Sequence, residues 1–346
     1  MQREIKKPVR LLNENGELAE IGYARKPIFE YRRKDIKASP WRIKEWDYYL
    51  ITNDDYAVAL TIADNSYIGF LSASLIDFKQ KWYKTTSVIK PLTFGKLNLP
   101  SSSTQGDIVY KDHRVEMAFF KKGKDRHLEC TMKNLDRKKD FHCEFLLSDE
   151  PRDSMVIAIP FPDKKNAFYY NRKINCLTAR GKVYFGEKEY EFLPDRSFGT
   201  FDWGRGVWTY KNTWYWGSAS GIINGKKFGF NIGYGFGDTS KATENMVFYD
   251  GIAHKLDQVT FHIPKKDENG KNFAYMKPWT FSSNDGRFEM DFEPIIDRND
   301  SISVGVIASD QHQVFGYFTG KAVLNDGKVI EVKNLLGFAE RVVNRW

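Results

Sequence analysis

The chain has 346 residues, of which 41% are hydrophobic, 28% charged and 15% aromatic; its net charge is +8 and its isoelectric point near 9.1. That is too long for one small core, and it fits two domains or one large β domain of ordinary, soluble composition, the aromatic share favouring strands. The positive balance is no nucleic-acid signature: residues 121–140, the densest basic run, mix eight Lys/Arg with four Asp/Glu, which reads as the solvated face of a hairpin, and no zinc-finger, helix-turn-helix or ribonucleoprotein-type motif is present.

The opening segment, MQREIKKPVRLLNENGE, is basic but has no apolar run, so no secretory signal is expected. No stretch approaches the ~20 apolar residues of a membrane-spanning helix. Cys130, Cys143 and Cys176 are too few for a disulfide framework, although Cys130 and Cys143 can face each other across a hairpin. A cytoplasmic protein without stable membrane insertion is expected. Strand signals then recur along almost the whole chain. Asn15-Gly16, Lys122-Gly123, Gly186, Asn224-Gly225, Asn284-Asp285-Gly286 and Asp326-Gly327 each separate two runs of strand formers. Such residues supply the positive φ of tight hairpin loops. Many short strands with regular turns predict an all-β protein, a sandwich or barrel. Short helices are expected at residues 40–47 and over the last ten residues. Pro151, Pro160 and Pro162 mark an irregular stretch. At Leu193-Pro194 the composition shifts from Lys-rich to Trp- and Gly-rich, which divides the chain into β-barrel-like domains of residues 1–193 and 194–346.

The segment from Phe198 to Phe236 carries most of the functional signal. Twelve of its 39 residues are aromatic, nine are glycine, and it holds four of the nine tryptophans. Rings supply a wall, and glycines let backbone or ligand approach closely, so the segment reads as one wall of a ligand pocket. Within it Phe228, Phe230, Ile232, Tyr234 and Phe236 share one face of a strand. The other face is bare apart from Asn231, and another strand, a large ring or a ligand must pack against it. The ligand-binding candidates are Trp203, Arg205, Trp208, Trp214, Trp216, Asn231, Tyr234 and Asn245.

Three residues are candidates for proton transfer. Asp202 lies between two rings and is followed by glycines; desolvation there would raise its pKa and make it a usable acid, whereas pairing with Arg205 would make it a loop anchor. Glu244 follows a turn-rich connector and is either a second carboxylate or a loop hydrogen-bonder. His254 is either a proton carrier near neutrality or a structural donor. Spacing alone does not decide whether the three converge. The six histidines are dispersed and there is no HExxH or CxxC, so no metal is expected. A phosphate loop and a GxSxG elbow are absent, and Gly233-x-Gly235-x-Gly237 sits on a strand with no helix after it, so no cofactor is expected either.

Ser197-Phe198-Gly199 through Trp208, Trp214-Tyr215-Trp216, Asn231-Ile232-Gly233, Thr243-Glu244-Asn245, His254-Lys255-Leu256 and Gly337-Phe338-Ala339-Glu340 together resemble the signature of a bacterial family known as domain of unknown function 2804. More distantly, that family resembles the lipocalin-like enzymes of the carotenoid 1,2-hydratase (hydroxyneurosporene synthase) and tocopherol cyclase type. The resemblance implies two lipocalin-like antiparallel β-barrel or β-sandwich domains. It also implies acid chemistry at carbon–carbon double bonds of apolar substrates, with Asp202 as the acid and Trp203 and Trp208 as a cation-tolerant wall.

Four functions remain open on the sequence. The first is a hydratase-, isomerase- or cyclase-like enzyme with an acid carboxylate acting on an apolar small molecule. The second is a non-catalytic binder of a hydrophobic ligand. The third is a carbohydrate-active enzyme using Asp202 and Glu244. The fourth, nucleic-acid binding, ranks last because the charge is mixed.

Overall fold

The computed structural model describes residues 2–162, 164–266 and 272–346. In chain order the first part of the chain forms β1 (Val9–Arg10), β2 (Gly22–Ala24), β3 (Phe29–Glu30), β4 (Ile43–Thr52), β5 (Tyr56–Asp64), β6 (Ile68–Asp77), β7 (Trp82–Pro91), β8 (Ile108–Lys111), β9 (Val115–Lys122), β10 (Asp125–Asp136), β11 (Lys139–Ser148), β12 (Met155–Phe161), β13 (Lys164–Phe185), β14 (Lys188–Phe192) and β15 (Phe198–Val207). The rest forms β16 (Lys211–Ile223), β17 (Lys226–Tyr234), β18 (Met246–Tyr249), β19 (Ile252–Lys255), β20 (Val259–His262), β21 (Trp279–Ser283), β22 (Phe288–Val304), β23 (Ile307–Val323) and β24 (Val329–Arg345). The protein is thus all-β, as the turn spacing predicts. It is built of two curled antiparallel sheets of lipocalin-like character.

One sheet runs β7-β6-β5-β4-β15-β13-β11-β10-β9-β8, with β12, β14 and β2 attached along β13 and β12. The other runs β19-β18-β17-β16-β24-β23-β22-β21-β20. Five of the six turn signals join paired strands of these sheets; Asn15-Gly16 instead closes a small turn beneath an isolated Leu12–Leu18 bridge. Asn224 and Gly225, between β16 and β17, both take positive φ, +53° and +72°, as a two-residue hairpin loop requires. Cys130 and Cys143 are register partners in β10 and β11, buried as free thiols.

Two expectations need correction. The expected helix at residues 40–47 reduces to a single 3-10 turn, Pro40–Arg42, because Ile43 already pairs with Val207 as the start of β4. The last ten residues are strand, not helix. All but Trp346 lie in β24 between β16 and β23, and this two-sided pairing overrides local preference. The change of sheet comes later than the shift in composition at Leu193-Pro194: β15 is inserted between β4 and β13 of the first sheet, so the crossing falls between Val207 and Lys211.

Two apolar cores follow. The second sheet curls over its own core of rings, among them Phe230, Trp279, Phe281, Phe288 and Phe318. The larger core fills the first sheet and continues into the interface, where it takes in Trp216, Met246, Phe248, Phe315 and Phe338 of the second. The candidate site lies in this interface.

Candidate functional site

β13 is the beam on which the site is built. Side chains alternate along a strand, so Tyr169, Asn171, Lys173 and Asn175 form a polar file on one face, while Phe168, Tyr170, Arg172 and Ile174 point into the first sheet's interior. Asn175 fixes the approach of the second sheet by donating to Ser218 Oγ at 2.8 Å and to the Phe230 carbonyl at 2.9 Å. Register then sets two cross-strand rows face to face. Across the first sheet run Tyr48, Asp202 and Lys173. Across the second run Gln313, Glu340, Trp216 and Gly233.

Lys173 is buried at the centre. Its Nζ donates to Glu244 Oε2 and Tyr169 Oη, both at 2.8 Å, and to Asn171 Oδ1 at 3.1 Å, which uses all three of its protons. Its charge also lies 4.9 Å from the Trp216 ring centre and 5.1 Å from that of Phe236. Asp202 accepts from Asn171 Nδ2 at 2.6 Å and stands 3.9 Å from Lys173 Nζ. Asn231 Oδ1 accepts from Trp216 Nε1 at 2.7 Å, and its Nδ2 donates to the Glu244 carbonyl at 2.9 Å, so one amide orients both the ring and the loop. Asn245 completes the anchorage: its Oδ1 accepts from Gly233 N at 2.7 Å and its Nδ2 donates to the Asp257 carbonyl at 2.7 Å.

Glu340 is a strongly perturbed carboxyl of the group. Burial pushes its pKa up to about 7, against hydrogen bonds from Trp214 Nε1 and Gln313 Nε2, each 3.0 Å long, and with the Asp202 charge adding to the rise. Burial also raises Glu244, partly offset by Lys173. It lifts Tyr48 to about 12 and, with the Glu244 charge, raises Tyr169 as well. Among the described residues, Glu244 Oε1, Gln313 Oε1, Trp208 Nε1 and Trp346 Nε1 are buried without a protein partner. So many unmatched polar atoms around one cluster are unusual in a packed interior and mark places for ligand or solvent contacts.

An aromatic wall flanks the carboxyls. Phe236 stacks on Tyr169 with ring centres 4.8 Å apart, Trp214 lies 5.7 Å from Phe236, and Trp208 stands edge-on to Trp214 and Trp346 at 5.5 and 5.9 Å. Phe236 reaches this wall because β17 ends at Tyr234 and Gly235, at φ +94°, turns the chain. It therefore leaves the face of Phe228, Phe230 and Ile232 on which the alternation places it.

The structure brings together Asp202, Glu244, Trp208, Trp214, Trp216, Asn231 and Asn245. It places the other candidates elsewhere. Trp203 points to the opposite face of β15 from Asp202 and packs on Tyr31 and Tyr170 in the first sheet. Arg205 shares that face. It binds Asp47 at 2.9 Å and the Pro100 carbonyl at 2.8 Å, so it is no partner of Asp202. Tyr234 stacks on Tyr215 over the second core. His254, in β19, accepts from the Asn325 amide at 3.1 Å, its pKa lowered by burial, and stands outside the cluster. Lys173, Tyr169, Asn171, Tyr48, Gln313 and Glu340 are the members that the functional reading of the sequence passes over. The alternating polar file Tyr169-Asn171-Lys173-Asn175, in a buried stretch of β13, is the signal that marks the first three.

The overall arrangement is similar to that of an AttH-type protein of Nitrosomonas europaea, with a TM-score of 0.53 at 12% identity over 90% of this chain and 96% of that one. The kievitone hydratase of Nectria haematococca superposes with a TM-score of 0.49 at 10% identity, over 88% of each chain. At such identities the first likeness is one of fold. No curated protein matches the sequence. The residues quoted from Ser197 to Leu256 and at Gly337–Glu340 belong to a pattern that extends over residues 2–346, and the chain belongs to the family described as domain of unknown function 2804.

Proposed function

We propose that the chain is a small-molecule enzyme that protonates an apolar, unsaturated substrate at the interface of the two sheets, in the manner of a hydratase, isomerase or cyclase. The observation that carries this reading is the buried Glu340 carboxyl, which keeps its proton up to about pH 7 beside a second carboxyl, Asp202, and a wall of rings. An acid with a pKa near the working pH is the effective proton donor. In this reading Glu340 gives its proton to a carbon–carbon double bond. The positive charge that develops on carbon faces the π surfaces of Trp208, Trp214 and Trp216. Asp202 takes up the proton released when water adds, or when a neighbouring C–H bond gives up its electrons. The Lys173–Glu244 pair does no proton transfer; it holds Tyr169 and Asn171, and through Asn171 the Asp202 carboxylate, in place. A glycosidase that pairs Asp202 with Glu244 would need Glu244 released from Lys173, which holds it at 2.8 Å.

The test is native mass spectrometry of the protein purified from its host, beside the Asp202→Asn and Glu340→Gln variants. A co-purifying apolar molecule that wild type alters and both variants leave unaltered is the expected outcome. The same molecule held unchanged by all three would make the protein a carrier instead.

A further inference from the structure

β22 and β23 continue past the end of their sheet. Ala308 pairs with Arg345, the last residue of β24, and beyond that point the hairpin runs alone from Ser303 to Ile307. From Ser301 to Ser309 the sequence SISVGVIAS carries no charge. Its large side chains are bare: Val304 is 70% and Val306 72% exposed, with Ile302 and Ile307 also exposed. Four aliphatic side chains on a projecting tip have no core to fill, and exposed apolar surface of this kind marks an interaction site. One exposed aromatic residue touches the tip. Tyr210 donates its hydroxyl to the Val306 carbonyl at 2.5 Å. Behind it Arg42 binds the Trp208 and Trp346 carbonyls at 2.8 and 2.6 Å, and the Trp346 amide donates to the Tyr210 carbonyl at 2.9 Å. At the base of the tip Lys211 and Arg345 are register partners, both exposed and, among the described residues, neither in an ion pair. Asp300 and Asp310 lie on the stem, Asp310 within 3.7 Å of His312.

We propose that this hairpin tip is a docking finger for an anionic lipid bilayer. The tip is narrow and convex. A stable protein interface needs a patch of about 800 Å² on each partner, which four side chains on a loop do not offer, whereas a bilayer closes around a point. Aliphatic tip, flanking Tyr, and exposed cations behind it follow the order of layers met on entering such a surface: acyl region, headgroup boundary, lipid charge. The chain's charge of +8 adds long-range attraction. Among the described residues no helix is long and apolar enough to cross a membrane; the contact proposed is a peripheral one. Docking would set the wall of Trp208, Trp214 and Trp346 beside a reservoir of apolar molecules. That consequence rests on the function proposed above; the docking does not.

The test is co-sedimentation with vesicles of phosphatidylcholine alone and of phosphatidylcholine mixed with phosphatidylglycerol, with no substrate present. Wild type is expected to bind the mixed vesicles and to prefer them over the neutral ones. The double variant Val304→Glu/Val306→Glu should partition at least tenfold less with its melting curve unchanged. Lys211→Glu/Arg345→Glu should lose the preference for anionic lipid. Absence of wild-type binding, or equal binding by the Val304/Val306 variant, would overturn the proposal. A concentration-dependent dimer that the same variant abolishes, without vesicle binding, would assign the tip to a second copy of the chain instead. Since the readout is partitioning, its failure leaves the Asp202 and Glu340 results standing, and theirs leaves it standing.

Discussion

A carboxyl that keeps its proton near neutrality ties folding to pH. Glu340 titrates at about 7 in the folded chain against an ordinary value of 4.5, with burial as the main cause. Because the folded-state value is the higher one, the folded chain binds the proton more tightly than the unfolded chain does. Its contribution to stability is therefore fully present below about pH 4.5 and is lost as pH rises through about 7. A shift of this size corresponds to roughly 3 kcal/mol. Glu340→Gln removes the titration but keeps an acceptor for Trp214, and its amide can pair with the otherwise unmatched Gln313 Oε1. In urea unfolding, the variant is expected to gain on wild type between pH 5 and pH 8, by up to that amount. A difference between the two proteins that stays constant across this range would show that Glu340 is not held protonated. Gln313 and Tyr48 were not legible as members of this cluster, because a lone Gln and a lone Tyr in strands some 260 residues apart carry no local mark; only the register of four strands brings them to 3.5 Å.

β17 shows what a single strand can and cannot disclose. Its alternation places the rings on one face and leaves Gly229, Asn231 and Gly233 on the other, and the demand for a close neighbour is met by β13 and by the Glu244 loop. A Cβ at Gly229 would lie 2.6 Å from Cys176 Sγ, and one at Gly233 would overlap Glu244 Oε1. Which element fills the space was unreadable, since Cys176 comes fifty residues earlier and sits at a bulge, at φ +62°, where β13 shifts register between Ile174 and Leu177. Gly233→Ala is expected to cost about 1–3 kcal/mol, as overpacking of a close contact does, because Glu244 is fixed by Lys173 and cannot yield freely. Thermal melts of this variant beside Gly225→Ala check it. The hairpin glycine has open space around it and answers only for its positive φ, so its melting temperature should fall less. An equal or larger fall at Gly225 would mean that Glu244 yields.

The two sheets do not make two independent bodies. Rings of the second sheet enter the first core, the buried Lys173–Glu244 pair spans the interface, and β15 hands the chain from one sheet to the other. Far-ultraviolet dichroism and tryptophan fluorescence are therefore expected to report one coincident unfolding transition; two separated transitions would show that each sheet is stable alone. The composition shift at Leu193-Pro194 was legible because tryptophans and glycines build the interface. The crossing itself was not, because β15, buried on both faces, has the same ring-and-glycine texture as the strands after it. The insertion of β15 also has a consequence in time. At a ribosome, β4 emerges early, yet its partner on one side is made only when Phe198–Val207 appears, about 150 residues later. At synthesis rates of ~5–20 residues per second this is a wait of roughly 8–30 s. Through that interval the nascent chain carries an unpaired, ring-bearing sheet edge, and its safe passage depends on whatever shields that edge while the rest is still being made.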